Sequence, residues 1–345
     1  MIGARCVQKL QQAALAMGPA TTLAMHPPCA LSALLRADTH VRTFEGTRMP
    51  VEYRLVTLTA ADNHEHDALL VIDERAARRR ERMTGRRTAA MHVHGIMGNF
   101  LVGTLRFLAA PLAREGFPVL VVETRMGNIG QLVGPGIFDL ARQDLTAGAN
   151  WLREHDWDHL ISMGYSSGAA LAVRWAATTK IPWLRGMALL GAPWGLPESM
   201  EARAARWGAT PSYDELYATA SAIVASPDPT AADRLFVIEH SRGPGTQPAH
   251  SEVYTYLTWW HSRGPEATPA KTHLQIGNIT HPLLLVQGTD DQVVAPHEAN
   301  DLAVVARAAG NEQVDVAVID GADHFFTGRE FVTTETVIRW IRKHA

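Results

Sequence analysis

The chain has 345 residues, 46% hydrophobic and 19% charged, with 32 basic against 35 acidic side chains. A formal net charge of −3 gives no whole-chain electrostatic case for nucleic acid or acidic lipid, and two cysteines are too few for a disulfide framework or a Cys-based zinc site. This length fits two domains or one large α/β domain with an insertion, and the composition points to a globular, intracellular protein.

The first stretch, Met1–Leu35, places Arg5 and Lys9 before an alanine- and leucine-containing run. Gln11, Gln12, Gly18, Pro19, His26 and Pro27 interrupt that run, so it reads as an amphipathic extension rather than a signal-peptide core. Residues 1–40 are assigned to this extension; a cytoplasmic location is the expectation, with export left open. No window supplies the ~18 consecutive apolar residues that a membrane-spanning helix needs.

Val51–Leu58 and Ala68–Ile72 have strand character, and the basic run Arg75–Arg87 reads as a solvated loop. A regular rhythm then begins. Strands are predicted at Thr88–His94, Phe117–Val122, Leu160–Met163, Gly186–Leu190, Pro282–Val286 and Val314–Ile319. Helices are predicted at Phe100–Arg114, Ile137–His155, Ser167–Thr178, His297–Ala309 and Gly328–His344. Short apolar runs alternating with helical patterns imply βαβ units: a mostly parallel, twisted sheet covered by helices on both faces.

One interval breaks the rhythm. Trp194–Thr280 is far longer than the ~2–6 residues that usually connect such elements, so it must carry structure of its own. It is predicted as an inserted, mainly helical cap, with helices at Glu198–Trp207 and Tyr213–Ala225 and Pro/Gly-rich breaks at Ser226–Pro229 and Arg242–Pro248. The core is then residues 41–193 and 281–345, and the cap residues 194–280.

The segment Gly164-Tyr165-Ser166-Ser167-Gly168 is a G-x-S-x-G motif between a predicted strand and a predicted helix. Such a turn pushes the serine hydroxyl out above the sheet, and the flanking glycines remove Cβ atoms that would clash. The helix that follows directs its N-terminal N–H groups at the same spot. Ser166 is therefore the candidate nucleophile, and Ser167 is expected to lend its backbone N–H.

With this motif and element order, Val51–Ala345 resembles the α/β-hydrolase superfamily, in particular serine esterases and lipases of the His-Gly-x-x-Gly oxyanion type. The resemblance implies a Ser, acid, His order along the chain. Asp291, three residues after Gly288 and followed by Val294 and Pro296, matches the acid position, with Asp290 as its competitor. His324, in Gly321-Ala322-Asp323-His324-Phe325, matches the base. His94-Gly95-Ile96-Met97-Gly98 is similar to the family's oxyanion loop, which implies the N–H groups of Ile96 and Ser167 as oxyanion donors. Glu123–Asn128 occupies the place of another family loop but departs from its pattern.

Two histidine pairs, His92/His94 and His64/His66 (the latter beside Asp67), could in principle ligate a metal, since residues i and i+2 of a strand face the same side. The sequence after His94 lacks the further ligands of metallohydrolases, so neither a metal nor another cofactor is expected. Tyr165 and the insertion's Trp194, Tyr254, Trp259 and Trp260 are candidate substrate-wall residues. The expected activity is metal-independent cleavage of a carboxylic ester of a medium-sized, fairly apolar molecule. A thioesterase or acyltransferase is the alternative, and a non-catalytic binding protein of the same fold a third reading. The expected partner is that small-molecule ester or acyl substrate, not nucleic acid or a membrane; a homodimer is compatible with the sequence.

Overall fold

The alternating strand and helix runs assemble into an eight-stranded and a three-stranded sheet in the computed structural model, which describes residues 51–95, 98–127, 137–228, 230–241 and 250–345. The large sheet contains β1 (Glu52–Thr59), β2 (Glu65–Ile72), β3 (Thr88–Val93), β4 (Val119–Val122), β5 (His159–Tyr165), β6 (Leu184–Leu190), β10 (Leu283–Gly288) and β11 (Val314–Ile319). Its spatial order is β1-β2-β4-β3-β5-β6-β10-β11. The first two pairings, β1 with β2 and β2 with β4, are antiparallel, and all the others are parallel.

Alternation along the strands sorts the core onto two faces. Met91, Leu120, Leu160, Leu283 and Leu285 pack against α3 (Phe138–Glu154), α4 (Ser167–Thr178) and α8 (Glu298–Ala308). Their neighbours Ala90, Val121, Ile161, Leu284 and Val286 face α2 (Leu105–Arg114) and α9 (Glu330–His344). β3 and β10 are buried at every position, as expected for central strands covered on both sides.

The basic run does not form the expected loop. Glu74–Thr84 is a helix, α1, capped by the Asp73 side chain accepting from Ala76 N–H at 2.9 Å and ended by Gly85 at φ 69°. Arg, Ala, Glu and Met are strong helix formers, and only Ala76 and Ala77 need burial. Arg80 lays its guanidinium 3.8 Å from the centre of the Phe117 ring, so the cationic run covers apolar surface while its charges reach water.

Among its described residues the long interval between β6 and β10 is mainly helical, and it also carries a small sheet that the sequence reading did not give. Helices α5 (Leu196–Trp207), α6 (Tyr213–Val224) and α7 (Tyr256–Ser262) are joined by an antiparallel sheet of β7 (Ala209–Thr210), β8 (Leu235–His240) and β9 (His250–Thr255). Ile238 and His240 are buried while Leu235, Val237 and Glu239 are exposed, a period-two pattern that marks a one-sided strand. Three short 3-10 turns over Thr268–Asn278 lead back to the core. The segment has an apolar cluster of its own, built on Met200, Leu216, Ala220, Ile238, Tyr254 and Trp259.

Loops at the carboxyl ends of the parallel strands converge, as open α/β sheets require of a site. The loop after β4 is held by buried polar groups. Glu123 accepts from Phe100 N–H at 3.0 Å, and burial, with Asp67 nearby, pushes its carboxyl up to about 7. A carboxyl raised in the folded state contributes stability that is complete below its unfolded value and lost as pH rises through the folded one. Glu123→Gln keeps the carbonyl acceptor and is expected to raise the melting temperature at pH 8, leave it unchanged near pH 4.5, and flatten the decline between those limits in thermal unfolding.

Candidate active site

Ser166 sits between the end of β5 and the first residue of α4, with φ 55° and ψ −125°, a positive φ that costs a non-glycine residue of order 1–3 kcal/mol. Its neighbours explain how the turn closes. A Cβ on Gly168 would come within 2.2 Å of the His94 carbonyl oxygen, and one on Gly164 within 2.6 Å of the Ala169 Cα. The Ser166 N–H donates to Leu190 O at 2.9 Å, tying the turn to the end of β6.

His324 lies on the loop after β11. Its Nε2 is 3.0 Å from Ser166 Oγ and its Nδ1 2.8 Å from Asp291 Oδ2. A carboxylate only accepts, so the proton sits on Nδ1 and Nε2 is free to accept from the serine hydroxyl. All three side chains are buried. Asp291, not its exposed neighbour Asp290, faces the imidazole; Asp290 instead accepts from the Thr289 hydroxyl at 3.0 Å.

The Asp291 carboxylate is held from every side. Oδ1 accepts from the N–H groups of Val293 and Val294 at 2.8 and 2.9 Å, and Oδ2 also accepts from Gln287 Nε2 at 2.9 Å. The acid loop and histidine loop are joined by Asp290 N–H to Ala322 O at 2.9 Å and Gly321 N–H to the Thr289 hydroxyl at 2.8 Å. Their contact is so close that a Cβ on Gly288 would fall 2.2 Å from the Ala322 oxygen. Gln287 was not picked out from sequence; its place one residue before Gly288, at the end of the acid strand, is the available signal.

On the opposite side, His94 orients the loop that begins at Gly95. Its Nδ1–H donates to Gly95 O at 2.7 Å, while Nε2 accepts from Thr124 N–H at 3.1 Å. Burial holds this imidazole below its ordinary pKa, so it stays neutral. Gly98 N–H returns to Gly95 O at 3.1 Å. Ile96, the expected oxyanion donor of this loop, lies outside the described residues. The Ser167 N–H is in the first turn of α4, where the helix itself supplies no acceptor.

Both histidines of the His92/His94 pair are engaged in hydrogen bonds, since His92 Nε2 meets the Thr104 hydroxyl at 3.0 Å. The expected substrate-wall residues divide. Tyr165 stands beside Ser166 and His324, its ring 5.1 Å from that of His324. Trp194 is half-buried and its ring stacks on His273 at 4.5 Å, while its backbone N–H donates to the Glu298 carboxylate at 2.5 Å. Trp260 is half-buried and stacks on Tyr217 at 5.8 Å. Tyr254 and Trp259 are 0% exposed and belong to the insertion's own apolar cluster, with the Tyr254 hydroxyl donating to Glu252 at 2.7 Å. These two rings pack the insertion and offer no free face to a ligand, a correction to the sequence expectation.

No protein-family profile and no curated protein sequence matches the chain. Solved structures do. The Pyrococcus furiosus esterase Pf2001 is 18% identical, with 87% of this chain and 97% of that one aligned at a TM-score of 0.56. Est1E from Butyrivibrio proteoclasticus is 14% identical, covering 84% and 98% of the two chains at 0.55. DcsB, solved in complex with its substrate analogue, is 11% identical, covering 85% and 100% at 0.63. Sequence identity this low speaks to architecture alone. With the parallel sheet, the strand–serine–helix turn and helices on both faces, it places the chain in the α/β-hydrolase fold.

Proposed function

We propose that the protein is a serine hydrolase that cleaves a carboxylic ester of a medium-sized, fairly apolar substrate through an acyl-enzyme. The observation that carries this reading is the unbroken relay from Ser166 Oγ through His324 to Asp291, at 3.0 and 2.8 Å, on a strained strand-to-helix turn. Ser166 attacks the carbonyl carbon as His324 Nε2 takes its proton. Asp291 fixes the ring and stabilises the imidazolium. His324 then protonates the departing alcohol, and a water activated by the same ring releases the acid.

The oxyanion that develops at each step is assigned to the N–H of Ser167 and to that of Ile96. One such donor contributes about 2.7–4 kcal/mol to the transition state. Residues 194–280 act as a cap on this reading, with Trp194 and Trp260 as its substrate-facing rings and Tyr165 lining the floor beside His324. Thioester hydrolysis and acyl transfer would use the same relay; matched oxygen and thio esters, with and without an acceptor alcohol, separate them.

Ser166→Ala is expected to lower kcat for simple aryl esters by about 10⁵–10⁶-fold with an unchanged circular dichroism spectrum. Turnover that survives in this variant would end the assignment. Asp291→Asn is expected to lower kcat by about 10⁴-fold, because the amide favours the wrong imidazole tautomer, whereas Asp290→Asn leaves it within about two-fold. Gln287→Met removes one donor to a charged oxygen, an interaction of about 1.5–3 kcal/mol, while keeping the side-chain length. It is expected to lower kcat by about 10-fold at constant KM and to shift the acid limb of the pH–rate profile, a change that a packing defect alone would not produce.

A further inference from the structure

The second histidine pair singled out in the sequence has no part in the hydrolytic relay. His64 opens the turn into β2 and His66 lies on that strand, so the two share a face, with their rings stacked 5.8 Å apart. On the same face lie Ala68, Leu70 and Ile72, covered by α3. Asp144 projects from α3, and one donor atom each from His64, His66 and Asp144 lies within 4.8 Å of the others. Among the described residues this is the one His/Cys/Asp/Glu group close enough to share a cation.

Two observations separate this cluster from a chance grouping. The His66 ring is 7% exposed, and neither of its nitrogens has a hydrogen-bond partner among the described residues. A buried polar group without a partner carries a desolvation penalty of about 1–3 kcal/mol, which an electron-pair acceptor in the cluster would remove. The charge balance also favours a cation. Arg125 pairs with both Asp62, at 2.6 Å, and Asp144, at 2.7 Å, so one guanidinium faces two carboxylates and leaves a net negative charge beside the imidazoles.

We propose that His64, His66 and Asp144 bind a divalent transition-metal ion, zinc by the chemistry of the donor set, which joins β2 to α3. Two imidazoles and a carboxylate suit zinc, with donor bonds of ~2.0–2.2 Å and a fourth position left for solvent. The donors must draw together from their present spacing. His64 can do this without loss, because its half-buried ring makes no hydrogen bond among the described residues. Asp144 keeps its Arg125 partner: Oδ1 accepts from Nη2 at 2.7 Å, Oδ2 from the backbone N–H at 2.8 Å, and the Nε–H is shared between the two oxygens at 3.1 and 3.2 Å, so three N–H groups leave one of about four lone-pair sites for an ion. The ion's role is structural. It lies among residues that brace the β4 loop, remote in chemistry from Ser166 and His324, and the inference does not depend on the hydrolase reading.

The test uses the full chain, stripped with chelator, dialysed, and titrated with zinc chloride by calorimetry and with cobalt(II) chloride by visible absorption. One equivalent is expected to bind, with tetrahedral cobalt bands and a melting temperature that rises with zinc concentration, as binding to the folded state requires. The same stoichiometry is expected in Ser166→Ala, whether or not that variant has lost turnover. His64→Ala and His66→Asn should weaken binding at least ~10-fold, since even the loss of an outer-shell partner costs ~10–100-fold. His297→Ala, at an exposed histidine, should leave it unchanged. Because His64 is only half-buried, its variant is the one least exposed to failure of folding. Undiminished binding in both cluster variants, or no saturable binding at high-micromolar metal, would overturn the proposal.

Discussion

The close approach of backbones around Ser166 is the constraint from which the rest of the site follows. The carbonyl end of β3 presses against Gly168 at the start of α4 where no Cβ could be placed. That contact sets the depth at which α4 enters the sheet, and with it the height of the serine above β5. The same contact brings Gly95 beside the turn that begins α4. A bulkier residue at Gly168 would push α4 away from the carbonyl end of β3 and shift Ser166 with it. The positive φ of Ser166 is sustained because β5, β6 and α4 are each anchored independently in a fully buried core.

Much of this was legible in the residues because local and global signals agreed. The central strands are short apolar runs with turns on either side, and the helices between them carry apolar stripes, so element order and sheet class could be read directly. The elbow and histidine loop were readable for the same reason: each is a short motif whose geometry is imposed by glycine. The choice of Asp291 over Asp290 is a question of direction rather than composition. It is answered by Val293, Val294 and Gln287, whose donors hold one carboxylate and ignore the other.

The parts that were misread are those where charge or aromaticity masked a structural role. A run of arginines suggested a solvated loop, yet its two alanines and its caps make it a helix, with Arg80 used as a cover for Phe117. In the inserted segment, Trp194, Tyr254, Trp259 and Trp260 were the candidate substrate-wall residues. Tyr254 and Trp259 are instead the filling that lets so small a unit have a core, because a short β-ribbon and three helices bury little surface without large side chains. The strands there escaped notice because each is brief, two residues in β7 and six in β8 and β9, and they stand apart from the alternating strand–helix rhythm of the main sheet.

The strands that bracket this segment, β6 and β10, are hydrogen-bonded neighbours in parallel register. Parallel neighbours begin and end at opposite edges of the sheet, so the chain leaves at the carboxyl end of β6 and crosses back to the amino end of β10 beside it. Closure entropy grows only with the logarithm of loop length, about 0.6 kcal/mol for each doubling. The core constrains the two roots of the crossover, where Leu196, Ala267, Ala270, Ile276 and Ile279 are buried in it, far more than the length of chain between them. Length can change between Leu196 and Ala267 at little entropic cost to the sheet, whereas a cut at either root would open the core itself.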